Sequence, residues 1–133
     1  MRSETPLATV VLAAGKGTRM KSDLHKVLHP IAGRPMIEHL LASAPGVSPE
    51  RQVVVVGNER EALEKVLAGR TEIAVQEPQL GTGHAVQQAE AALGGFEGDV
   101  LILYADVPFV RAETMRAMLD RLHAPDAPAV VVL

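Results

Sequence analysis

The chain has 133 residues, a net charge of −3, 47% hydrophobic residues and no cysteine. That is one domain's worth of chain, long enough to bury a real core. Disulfides, thiolate metal sites and cysteine nucleophiles are excluded, and the acidic balance lacks the clustered excess base of a nucleic-acid footprint.

The first element follows an N-terminus that imitates a signal peptide, with Arg2 ahead of the mostly apolar run from Leu7 to Ala14. Glu4 stands where positive charge belongs, and the run passes straight into Lys16 and Arg19. It reads as a buried strand over Thr9–Leu12, and the chain as cytoplasmic. No apolar run approaches the ~18 residues of a membrane helix. A glycine-bearing loop comes next, from Gly15 to Lys26. Beyond it the periodicity predicts a helix over Met36–Ser43, a strand over Gln52–Val56, a helix over Glu59–Leu67 and a strand over Glu72–Val75. A helix over Ala85–Leu93, a strand over Val100–Tyr104, a helix over Glu113–Leu122 and a strand over Ala129–Leu133 complete the series.

Only Phe96, Tyr104 and Phe109 are aromatic, so the core must be aliphatic. Strands with continuous rather than alternating apolar residues point to a sheet covered on both faces. Their alternation with helices predicts an α/β fold: a Rossmann-like, open, mostly parallel sheet with helices on both faces. There is no repeat, low-complexity tract or linker, so residues 1–133 form a single domain. The apolar run Ala129–Leu133 at its end predicts that this domain is a truncated piece of something longer.

In such a sheet, ligands collect outside the carboxyl ends of the strands. Three loops are expected there. In the first, Gly15 and Gly17 let the backbone turn tightly against a ligand, and free backbone N–H groups form an anion site. Arg19 can fork onto phosphate oxygens, and Lys26, seven residues on, can act as a point charge. The stretch is neither a P-loop, because Gly17 follows Gly15-Lys16, nor a dinucleotide fingerprint, because Met20 stands where a third glycine belongs. In the second loop, Gln76 reads either as a solvated amide or as a reader of a base edge. Gly81 and Gly83 read either as plain turn residues, with Thr82 capping a helix, or as part of a pocket. In the third, Asp106 reads either as a helix cap or as a magnesium ligand. Their convergence at one sheet edge favours function.

Leu12-Ala13-Ala14-Gly15-Lys16-Gly17-Thr18-Arg19-Met20, Lys26-Val27-Leu28, Gln79-Leu80-Gly81-Thr82-Gly83-His84-Ala85 and Tyr104-Ala105-Asp106-Val107-Pro108 together resemble the nucleotidyltransferase domain of bacterial N-acetylglucosamine-1-phosphate uridyltransferases. The first motif alone resembles the wider sugar-nucleotide pyrophosphorylase group, and the third makes the likeness specific. The resemblance covers nearly the whole chain. It implies the nucleotide-diphospho-sugar transferase fold and transfer of UMP from UTP to N-acetylglucosamine 1-phosphate, giving the peptidoglycan precursor UDP-N-acetylglucosamine and pyrophosphate. It implies that the backbone of Leu12, Ala13, Ala14 and Gly15 meets the uridine. Arg19 and Lys26 would hold the triphosphate as catalytic residues. Gln76 would read the uracil edge, Gly81 and Thr82 would complete the base pocket, and Asp106 would bind Mg²⁺.

Two departures from the family pattern stand out. Ala105 replaces a glycine and is expected to crowd the ribose or sugar. The family's sugar-binding residues, a second metal ligand and a trimerising acetyltransferase domain all fall beyond residue 133. The expectation is therefore the nucleotide-binding half of a site, with UTP–Mg²⁺ affinity and little turnover. Rival readings are a related nucleotidyltransferase with another base or sugar, or a non-catalytic nucleotide-binding fragment. Among five histidines, His25 and His29 have the spacing of a helical metal pair, but Pro30 argues for a loop. His84, at a helix start where positive charge is disfavoured, reads as a neutral hydrogen-bonding residue. His39 and His123 read as structural.

Overall fold

The computed structural model describes residues 5–14, 26–57 and 61–126. Strand β1 (Leu7–Leu12) precedes a 3-10 turn at Lys26–Leu28 and a small hairpin, β2 (Pro30–Ile31) and β3 (Arg34–Pro35). There follow α1 (Met36–Ser43), a second 3-10 turn (Ala44–Val47), β4 (Arg51–Val56) and α2 (Glu61–Leu67). The described part closes with β5 (Glu72–Val75), α3 (Thr82–Leu93), β6 (Asp99–Tyr104) and α4 (Ala112–Leu122).

The β-branched runs Thr9-Val10-Val11 and Val53 to Val56 favour extended backbone and supply the two central strands. All four long strands run parallel in the order β5-β4-β1-β6. The chain builds outward from β1 to β5 and then returns to add β6 on the other side of β1. The order therefore reverses at β1, which is where open parallel sheets bind ligands.

Two cores sandwich the sheet. On one face Leu7, Val11, Val54, Val56, Leu101 and Leu103 pack with Ile37 and Leu40 of α1, Leu63 and Leu67 of α2 and Met115 of α4. On the other, Ala8, Val10, Val53, Val55 and Ala74 pack beneath Ala85, Ala89 and Leu93 of α3. Thr9 is fully buried, and its hydroxyl hydrogen-bonds Gln52, its register partner on β4, at 3.2 Å.

The predicted elements within the described residues form at the expected places, and the expected cover on both faces holds for β1 and β4. At β6 it fails. Here α3 packs across β1, β4 and β5 and stops short of the edge strand, so Val100, Ile102 and Tyr104 stay between 42% and 46% exposed. The β2–β3 hairpin is unanticipated; Ala32 and Gly33 turn it with φ of 51° and 81°, the positive-φ pair of a tight hairpin. The predicted strand Ala129–Leu133 lies outside the described residues, as does the start of the predicted helix at Glu59. Among the described residues no helix is long and apolar enough to cross a membrane.

Two surface ion pairs tie neighbouring elements. Arg51 on β4 holds Glu72 on β5 through two bonds of 2.7 and 2.6 Å, and Arg70 after α2 holds Glu38 on α1 through bonds of 2.5 and 3.0 Å. The Arg70 bond holds the Glu38 carboxyl below the usual carboxylate range, and Arg51 does the same for Glu72. A carboxyl whose folded pKa is lowered stabilises the fold above its unfolded value and loses that contribution as pH falls from there through the lowered folded value. Stability measured by urea unfolding should therefore decline as pH drops below the 4.5 of a free glutamate. Glu38→Gln should cost about 1 kcal/mol or less at pH 7, as exposed pairs do, and should flatten that acid decline.

Candidate active site

The parallel register lays the strand ends level. Leu12 pairs with Val55, Val55 with Ala74, and Leu12 with Tyr104. Counted two residues on, the row reads Ala14, Gly57, Gln76 and Asp106. Ladder bonds persist past the strands and pin this row. The Ala13 N–H donates to the Val55 carbonyl at 2.8 Å, the Gln76 N–H to Val56 at 2.7 Å, and the Ala105 N–H to Leu12 at 3.0 Å.

Above the row is a cavity of about 310 Å³. The structure brings Leu12, Ala13, Ala14, Lys26, Gln76, Gly81, Thr82 and Asp106 together around it, from segments up to 94 residues apart in sequence. Gly15 and Arg19 lie outside the described residues, as do Gly17 and His25. Four lining residues had no assigned role in the sequence: Val27, Gln79, Ala85 and Tyr104. Tyr104, half exposed at the end of β6, offers a flat ring. It is the one tyrosine of the chain, and its place at a strand end was the signal available.

Lys26 Nζ donates to Asp106 Oδ2 at 3.1 Å, with side chains 35% and 41% exposed. Asp106 is not a helix cap, because α4 starts only at Ala112 with Arg111 before it. Among the described residues no group of three or more His, Cys, Asp or Glu could cage a metal. One hard carboxylate on a cavity wall suits a cation that draws its other ligands from phosphate and water. His39 contacts the Ile31 carbonyl and Phe109, and His123 pairs with Asp99, so both are structural, as read from sequence.

Gln76 is 3% exposed, which removes the solvated-amide reading. Its side-chain Nε2 donates to the Gly81 carbonyl at 2.9 Å and lies 3.0 Å from His84 Nδ1. Thr82 does not cap α3 by its side chain. It is the first helical residue, and Gly81 is the cap, with φ +103° and ψ 177°. That conformation is open essentially to glycine alone, and it starts the helix three residues before the predicted Ala85. Gln79 reaches back over Gly57, and its amide donates to the Ala14 carbonyl. The bridge needs glycine beneath it: a Cβ on Gly57 would stand 2.5 Å from Gln79 Nε2 and 2.8 Å from the Ala14 oxygen. Ala105 corrects a further expectation. It is fully buried in the core shared with Val11 and Leu103 and is absent from the cavity wall, so its methyl group does not face the cavity.

The profile of the MobA-like NTP transferase domain matches residues 9–133. The bifunctional protein GlmU of Novosphingobium aromaticivorans is 75% identical over 130 residues, 98% of this chain and 29% of that protein. The GlmU proteins of Sphingopyxis alaskensis and Rhizorhabdus wittichii are 75% and 62% identical over 96% and 98% of the chain. The chain thus spans under a third of the length of these curated relatives. Among solved structures, a nucleotidyl transferase from Methanothermobacter thermautotroptrophicus superposes with a TM-score of 0.72 at 24% identity, over 89% of this chain and 58% of that one. Rv0371c from Mycobacterium tuberculosis gives 0.74 at 22% identity, over 89% and 61%.

Three glycine substitutions should separate by their surroundings in urea unfolding. Gly57→Ala should destabilise by about 1–3 kcal/mol through overpacking, and Gly81→Ala by about 1–3 kcal/mol through backbone strain. Gly83→Ala, with nothing within 4 Å of its Cβ and a place inside α3, should be neutral or stabilise by about 0.5–1 kcal/mol.

Proposed function

The chain belongs to the MobA-like NTP transferase domain family, a family of nucleotidyltransferase enzymes, and on that premise we propose that it forms the nucleotide-binding part of a uridylyltransferase. The reaction is transfer of UMP from UTP to N-acetylglucosamine 1-phosphate, yielding UDP-N-acetylglucosamine and pyrophosphate. One observation carries the reading: a cavity at the switch point of the sheet holds one ammonium and one carboxylate 3.1 Å apart, beside a buried, fully oriented amide. High identity to the corresponding part of the GlmU proteins supports the choice of base and sugar.

The chemistry asks for positioning and charge neutralisation, and for no protein nucleophile. An oxygen of the sugar phosphate forms a bond to the α-phosphorus of UTP. The bond from that phosphorus to the bridging oxygen breaks, and pyrophosphate leaves with the electron pair. Lys26 binds phosphate oxygens and offsets charge on the departing group. Arg19 is assigned the same task from the sequence. The backbone of Leu12, Ala13, Ala14 and Gly15 seats the nucleoside, and Gln76, Gly81 and Thr82 take the base. Tyr104 and Val27 close the apolar wall. Asp106 fits Mg²⁺ as its one carboxylate ligand, and the ion would neutralise phosphate charge there. A cytoplasmic location follows from UTP as substrate.

Calorimetric titration of the purified chain with UTP and Mg²⁺ should show saturable binding, tighter than for CTP or GTP. Lys26→Ala should weaken it about 10- to 100-fold, the range of one hydrogen bond to a charged group, and Asp106→Asn should remove its dependence on Mg²⁺. Adding N-acetylglucosamine 1-phosphate should give no measurable UDP-N-acetylglucosamine. Failure to bind UTP overturns the reading, and turnover by the chain alone overturns its restriction to the nucleotide half.

A further inference from the structure

The amide of Gln76 is gripped from two sides. The Gly81 carbonyl, 2.9 Å away, has no proton to give, so the atom facing it is the amide nitrogen. The same nitrogen lies 3.0 Å from His84 Nδ1. A primary amide has two N–H donors; the first goes to Gly81 and the second to His84. For that, His84 Nδ1 must carry no proton, which places the ring proton on Nε2. Gln88, one turn on, brings its amide nitrogen to 3.3 Å of both Nε2 and the His84 carbonyl; it donates to the carbonyl, and the shorter contact at Nδ1 decides the ring's tautomer.

With both N–H groups taken, Oε1 is all that Gln76 can offer, and among the described residues it accepts no hydrogen bond. Gln76 lines the cavity, so the amide presents a pure acceptor to whatever base enters. A half-turn of the amide would set its oxygen against two acceptors at once, and burial makes such unpaired groups costly.

We propose that His84 is a positioning residue for base choice: it holds Gln76 as an acceptor, favouring a base that presents a ring N–H over one that presents a bare ring nitrogen. Uracil carries that N–H, and cytosine has a lone pair in its place. The inference rests on the nucleotide reading above and concerns a residue that does not line the cavity. Without the His84 acceptor the second N–H is free to turn toward the ligand, and discrimination falls.

The test compares Mg²⁺–UTP and Mg²⁺–CTP binding by the wild-type chain, His84→Leu and His84→Asn. Asparagine Oδ1 can take the place of Nδ1. The Leu variant should lower the UTP-to-CTP affinity ratio about tenfold, as loss of one oriented hydrogen bond does, and the Asn variant should restore it to within about threefold. A Leu variant with the wild-type ratio overturns the proposal, as does an Asn variant no better than Leu. Nitrogen-15 NMR of the wild-type chain reads the tautomer without any variant having to fold. An Nε2–H ring supports the clamp, and an Nδ1–H ring overturns it. Wild-type protein that binds neither nucleotide counts against the uridylyltransferase reading, while the tautomer spectrum still judges the clamp.

Discussion

The register of four parallel strands is the constraint from which the site follows. β1 serves as the common ruler, with β4 on one side and β6 on the other. Because Leu12 is level with both Val55 and Tyr104, the residues just beyond the strands arrive at one height from three directions. A slip of one residue would turn each side chain to the opposite face of the sheet. Asp106 would then leave the cavity for the core, and Ala105 would take its place. The bonds from Ala13, Gln76 and Ala105 to neighbouring strands show that this order outlasts the strands themselves and extends into the loops that line the cavity.

Two kinds of surface meet on that edge. One side is charged and partly solvated, with Lys26 and Asp106 holding each other. The other is neutral and buried, with Gln76 fixed by Gly81 and His84. The division suits a ligand with a phosphate end and a heterocyclic end. Gln79 joins the two sides by closing the second loop onto Ala14, and Gly57 leaves the space for it.

Much of this was legible in the chain. The valine-rich runs announced the strands, and glycine and proline marked where they ended. Lys26, Gln76, Gly81, Thr82 and Asp106 were identified as convergent because the carboxyl ends of parallel strands share an edge. What was not legible depended on partners far away in sequence. Nothing local tells that Lys26 pairs with Asp106, 80 residues on. Nor does anything local show that Gln79 spans 65 residues to the Ala14 carbonyl. The hairpin at Pro30–Pro35 escaped because its strands are two residues long, too short for periodicity to register. The exposed side of β6 escaped for a different reason. Val100, Ile102 and Tyr104 are apolar by type, but their burial depends on how far α3 reaches across the sheet.

The Lys26–Asp106 pair has a thermodynamic consequence for the proposed ligands. Each charge already has a counter-charge, so a cation binding to Asp106 must compete with Lys26, and a phosphate binding to Lys26 must compete with Asp106. Either arrival frees the group that the other one needs. The separation of the pair is then a shared cost, met once when both ligands bind and in full by either ligand alone. By linkage, each must raise the affinity of the other by the same factor. Metal and nucleotide become cooperative through a single contact, with no movement of the sheet beneath them.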